Sequence, residues 1–176
     1  RTDIVRLLIE RGASTDLQDE HGSTALILAA QNGNTDIVKS LMAKGADPDI
    51  ADANGSTALI LASQEGNCDV ARILLENGAD ADRQTINGNT ALILASLKGH
   101  ISVVELLLGK GALVDLKTGT GATALFAAAS RGHCRIVTML LEKGADPATT
   151  DTQGKTAFFY SKDYNVKAIL TAWNKN

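Results

Sequence analysis

TALILA, residues 24–29, is written again at 57–62 and again at 90–95, with a step of 33 each time. A single copy would be a short apolar run. Three copies in register mean that the chain repeats one unit, and the rest of the sequence is best laid out in rows of 33. Thr24, Thr57, Thr90, Thr123 and Thr156 then share a column, each two residues after a glycine (Gly22, Gly55, Gly88, Gly121, Gly154). A second glycine column holds Gly33, Gly66, Gly99 and Gly132. A third holds Gly12, Gly45, Gly78, Gly111 and Gly144, each followed by Ala. These columns take fourteen of the sixteen glycines, so glycine here is punctuation and not flexible linker.

Each column predicts local structure. The first glycine suits a turn, where a residue without Cβ takes positive φ cheaply. The threonine after it is a good helix N-cap. A short apolar helix is expected from about 25 to 32, ended by Gly33. A second helix is expected over about 35–44, with Ile37, Val38, Leu41 and Met42 at helical spacing and Lys39 and Lys44 outside. Gly45 closes it, and Gly-Ala-Asp opens an extended loop. A pair of helices this small cannot bury its own apolar faces, so neighbouring units must stack. The boundaries read as a leading half unit at 1–18, units at 19–51, 52–84, 85–117 and 118–150, and a degenerate capping unit at 151–176.

Residues 19–51 carry Asp19, Gly22, Thr24, Leu26, Ala29, Gly33, Val38, Leu41 and the close Gly45-Ala46-Asp47, and His100 and His133 follow Gly99 and Gly132. This pattern resembles the ankyrin repeat over essentially the whole chain. The resemblance implies an all-α solenoid of stacked helix-turn-helix pairs with hairpin-like loops, and a protein-interaction role without catalysis. There are departures. The family's Thr-Pro-Leu-His is Thr-Ala-Leu-Ile here, which trades a polar bridge for apolar packing at Ile27, Ile60, Ile93, Phe126 and Phe159. The aspartate that opens each turn is Thr85 and Thr118 in two units, whose turns are expected to be looser.

Composition narrows the function. The net charge of −3 argues against nucleic acid, whose binders carry dense basic surfaces. No apolar run approaches the ~20 residues of a membrane helix. His100 and His133 share a column on successive units, about 10 Å apart, and make a poor metal site. Cys68 and Cys134 lie two units apart, about 20 Å, beyond disulfide reach. Reduced thiols fit a cytoplasmic setting, with the nucleus, or a host cytosol for a bacterial effector, as other settings. Ser63, Ser96 and Ser130 have no histidine placed beside them by the repeat. GTGATA (119–124) is an inter-unit turn and not a phosphate loop. The NGS triplet at 54–56 is likewise the turn of its unit. No cofactor, metal or catalytic group is expected, and the chain is expected to be monomeric.

Two ends stand out. TDIVRLLIERGA (2–13) reads as a second helix whose first helix is missing, as if upstream residues belonged to the same array. All six aromatics lie in the last third, where Phe159 and Trp173 are expected to fill the last gap and Tyr160 and Tyr164 to face water. The columns left free by stacking would line a concave face. Carried over from the resemblance, the partner-binding candidates are Glu20, His21, Gln31, Asn54, Gln64, Glu65, Asn87, Leu97, Lys98, Lys117, Arg131, Lys155 and Lys162. Acidic side chains lie toward the front of this set and basic ones toward the back, with Ile86 and Leu97 apolar where water is expected. The expected partner is therefore a protein or peptide, extended or helical, with an acidic stretch. The competing readings are a targeting or regulatory module of a larger enzyme or bacterial effector, and a small-molecule sensor at the aromatic end.

Overall fold

The computed structural model describes residues 10–173 together with Ile4, Leu7 and Leu8. Among them ten helices run in pairs: α1 (Ala25–Gln31) and α2 (Thr35–Ala43), α3 (Ala58–Glu65) and α4 (Cys68–Glu76), α5 (Ala91–Lys98) and α6 (Ile101–Gly109), α7 (Ala124–Arg131) and α8 (Cys134–Glu142), α9 (Ala157–Tyr160) and α10 (Tyr164–Trp173). Apart from two isolated bridges, Ala51 to Thr57 and Thr150 to Thr156, the described residues form no strand. Helices of four to ten residues are too short to persist alone in water. They persist because they stack: α1, α3, α5, α7 and α9 pack in that order, and α2, α4, α6, α8 and α10 pack in a second row.

The threonine column works as a cap in three units. Thr24, Thr57 and Thr90 accept from the amides of Ile27, Ile60 and Ile93 at 3.2, 3.4 and 3.1 Å. All fourteen column glycines have positive φ, and no other described residue does. The core is built column by column. Leu26, Leu59, Leu92 and Leu125 are each 1% exposed, and Val38, Ala71, Val104 and Val137 are fully buried. The histidine column is structural: the Gln64 carbonyl accepts from Nε2 of His100 at 2.9 Å and the Leu97 carbonyl from Nε2 of His133 at 3.3 Å. Asn67, in the same column, donates to Ala30 and Gln31 carbonyls at 3.0 Å.

Two ladders tie unit to unit beyond the core. At the turn tips the amides of Ala53, Ile86, Gly119 and Thr152 donate to the carbonyls of His21, Asn54, Asn87 and Thr120, at 2.9 to 3.1 Å. In the long loops Asp16, Asp49, Asp82 and Asp115 accept from the amides of Asp47, Asp80, Leu113 and Asp146, each 31 residues on. The side chains of this aspartate column serve the backbone.

The last unit differs from expectation. Phe159 is 59% exposed, because among the described residues no further helix pair lies over it. The gap is filled by Ala157, Val166, Leu170 and the half-buried Tyr160, whose ring sits 6.0 Å from that of Phe126. Phe159 instead packs edge-on against Tyr160 with the Lys155 ammonium 4.2 Å from its ring centre. Trp173 is 37% exposed at the end of α10 and Tyr164 faces water as expected. Of the second helix expected at 2–13, residues 2, 3, 5, 6 and 9 lie outside the described residues; Ile4, Leu7, Leu8 and Glu10 are helical and exposed.

Ser63 and Ser96 are fully buried at the column that holds Ala30 and Ala129, and their hydroxyls have no partner among the described residues. A buried unpaired hydroxyl is destabilising, and alanine also favours helix. Ser63→Ala and Ser96→Ala are each expected to raise the unfolding free energy by about 1 kcal/mol, read by urea titration. A loss from either would mean the hydroxyl is bonded in solution. Ser130 lies one position later and is exposed, its hydroxyl donating to the Ala127 carbonyl.

Candidate functional site

Between the turn tips and the first helices of the last three units runs a groove of about 790 Å³. Its floor is Ile93 and Leu97 of α5, Phe126 and Ala127 of α7, and Tyr160 of α9. Its far wall is the turn residues Ile86, Asn87, Thr120 and Gln153. The groove opens here for a legible reason. The column that carries Leu28, Leu61 and Leu94 in earlier units carries Ala127 in this one. The missing branched side chain leaves space beside Phe126 that Tyr160 closes only from the far end.

The turns that line it are also distinct. In the aspartate units one carboxylate oxygen accepts two turn amides: Asp52 takes those of Asn54 and Ser56, both at 2.8 Å. Thr85 and Thr118 each take one, from Asn89 and Ala122 at 3.1 Å. The expected loosening is limited to that lost bond, for the backbone closures Gly88 to Thr85 and Gly121 to Thr118 remain at 2.8 Å. The two turns also lose a negative charge beside the groove.

At the far end Tyr160 donates to Asp151 Oδ2 at 2.5 Å, correcting the expectation that its hydroxyl meets water. This bond holds the Asp151 carboxyl below the usual carboxylate range and pushes the Tyr160 phenol up. A lowered carboxylate stabilises the fold above its unfolded pKa and loses that contribution as pH falls through the folded value. A raised phenol stabilises below its unfolded pKa and loses that as pH rises through the folded value. The stability gap between the parent and Tyr160→Phe is therefore expected to be constant near neutrality and to shrink below about pH 4 and above about pH 10. A gap that does not change with pH would show that the bond is absent in solution.

Beside the groove, Leu97, Lys98, Arg131 and His133 line a second hollow of about 320 Å³. Lys98 and Arg131 are exposed, and among the described residues neither forms an ion pair. Of the candidates, Asn87 and Leu97 thus meet in the groove and Lys98 and Arg131 at its rim. Leu97 is half-buried rather than projecting, whereas Ile86 is 76% exposed. Lys155 is drawn onto Phe159. Lys117 is exposed, and its carbonyl is held by Gln84 Nε2 at 3.0 Å. Lys162 is exposed and lies outside both hollows. Glu20 and His21 face each other at 3.7 Å at the front of the array, and Gln31 and Asn54 are exposed there. Gln64 bonds Glu65 at 2.9 Å. These front residues do not line the groove.

The spatial reading adds Ile93, Phe126, Ala127, Asp151 and Tyr160. In the sequence Ile93 and Phe126 read wholly as packing positions, although the Leu-to-Ala change at Ala127 is visible there. Among the described residues no group of three or more histidine, cysteine or carboxylate side chains could hold a metal, and no helix is long and apolar enough to cross a membrane. The Cys134 thiol is pushed up by its burial and by the neighbouring Asp163 carboxylate. The family model of ankyrin repeats (3 copies) matches residues 1–85 and 79–151. No curated protein matches the chain.

Proposed function

Because the chain belongs to the ankyrin-repeat family, whose modules generally bind other proteins and are typically non-catalytic, we propose that it is a non-catalytic scaffold that holds a segment of a partner protein on its concave side. The observation that carries this reading is the groove over residues 86–160, an apolar floor with a wall of Ile86, Asn87, Thr120 and Gln153 and, among the described residues, two unpaired cations at its rim. Such a surface is what a partner's apolar side chains need: a recessed core with a polar border.

A photo-crosslinking residue placed at Ile86 should capture a partner in cells, while one placed at the outer-row Glu105 should not. Equal capture at both positions would remove the reading. For the partner so captured, replacing Lys98, Arg131 and Lys162 together by Glu is expected to weaken binding about tenfold or more and to flatten its salt dependence. Lys162 stands away from the rim, so the pair without it should give most of the effect. Unchanged affinity would place the contact elsewhere.

A further inference from the structure

Resting on that reading, we infer that the occupant of the groove is an acidic amphipathic helix, with apolar residues a heptad apart on the floor and carboxylates directed at Lys98 and Arg131. Three observations converge on the units at 85–117 and 118–150. They supply the apolar floor around Leu97 and Phe126, and they supply both unpaired cations of the rim. They are also the units whose turn aspartate is replaced by a neutral side chain, Thr85 and Thr118, which removes the negative charge an acidic partner would meet. Asp151, which keeps its carboxylate at the groove's end, has it bonded by Tyr160 and by the amides of Gln153 and Lys155.

The turn ladder decides between an extended and a helical occupant. A peptide that adds as a strand gains affinity from a row of free amides and carbonyls. Here no continuous row is free: the amides of Ile86, Gly119 and Thr152 donate to the turn before, the carbonyls of Asn54, Asn87 and Thr120 accept from the turn after, and what the threonine turns leave is the isolated amides of Asn87 and Thr120. An extended segment would leave much of its own backbone unpaired against an apolar floor, which is costly. A helix arrives with its backbone bonds made. Its repeat also fits: seven residues advance about 10.5 Å, close to the roughly 10 Å between packed helices of successive units. Lys98 and Arg131 are one unit apart, so the carboxylates that meet them are also about a heptad apart.

The test is selection from a displayed library of random peptides about 16 residues long, enough for some four helical turns, against the folded chain. Binders are then measured by anisotropy against the parent, Ile86→Glu, and the double variant Lys98→Glu with Arg131→Glu, each checked for an unchanged circular dichroism spectrum. The inference expects enriched peptides with apolar and acidic residues at three-, four- and seven-residue spacing. They should lose roughly tenfold or more affinity on the double variant, weaken with salt, and lose binding when proline is placed at their centre. Proline-tolerant or basic binders that are sensitive to Ile86→Glu would overturn the helix and leave the groove reading standing. Binders indifferent to every groove variant, or no binders at all, would overturn both.

Discussion

Leu92→Ala is expected to lower the unfolding free energy by about 3 kcal/mol, while Phe158→Ala, in the same column two units later, loses about 1 kcal/mol or less. The two positions have the same role in the repeat and differ in cover. Leu92 is 1% exposed in α5, with α3 on one side and α7 on the other. Truncating it removes apolar burial and leaves a cavity between three helices that short helices and close packing cannot fill. Phe158 is 42% exposed, and its ring carries the Lys167 ammonium 5.2 Å from its centre. A stacked array adds a second consequence. Each unit is held by its neighbours, so a weak middle unit separates the array into halves that melt independently. Leu92→Ala should therefore broaden the urea transition and lower its slope, which Phe158→Ala should not. Equal losses at both sites would show that stacking does not carry the stability.

The second large effect is expected at Gly88. Gly88→Ala should lower the unfolding free energy by about 3 kcal/mol, whereas Gly78→Ala should lower it by about 1 kcal/mol. Both glycines have positive φ, 79° and 89°, so both substitutions force an L residue into the left-handed region. Only one also meets its neighbour. A Cβ on Gly88 would stand 2.8 Å from the Cα of Thr118 and 3.0 Å from the Gly119 nitrogen, whereas one on Gly78 meets nothing within 4 Å. The atoms in the way are backbone, and they belong to the turn whose Gly119 amide bonds the Asn87 carbonyl at 2.9 Å. The turn ladder must open to admit the methyl group. Since those turns form the wall of the groove, Gly88→Ala should also impair partner binding, and Gly78→Ala should spare it. Urea titration of both variants decides the matter, with equal losses counting against the ladder.

The contrast between these two glycines shows how far sequence alone reaches. Both sit in glycine columns, and both were expected to punctuate the chain. Their positive φ follows from the column because the requirement is local. That one of them abuts the next turn and the other faces open space depends on how successive units approach.

The same division runs through the candidate site. The 33-residue period, the threonine caps, the paired helices and the buried Leu26 and Val38 columns were legible because each rests on propensity and spacing within one unit, repeated until chance is excluded. The stacking requirement then follows from surface that one pair cannot hide. What only the tertiary structure decided lies across units. It includes the groove beside Ala127, the meeting of Lys98 with Arg131, and the bond from Tyr160 to Asp151. It also includes the aspartate ladder at a separation of 31 residues and the exposure of Phe159. The physical reason is that a column in the sequence fixes which side chains are equivalent but not which ones touch. Contact depends on the rise and rotation from one helix pair to the next, and those are set by the summed packing of all the pairs at once.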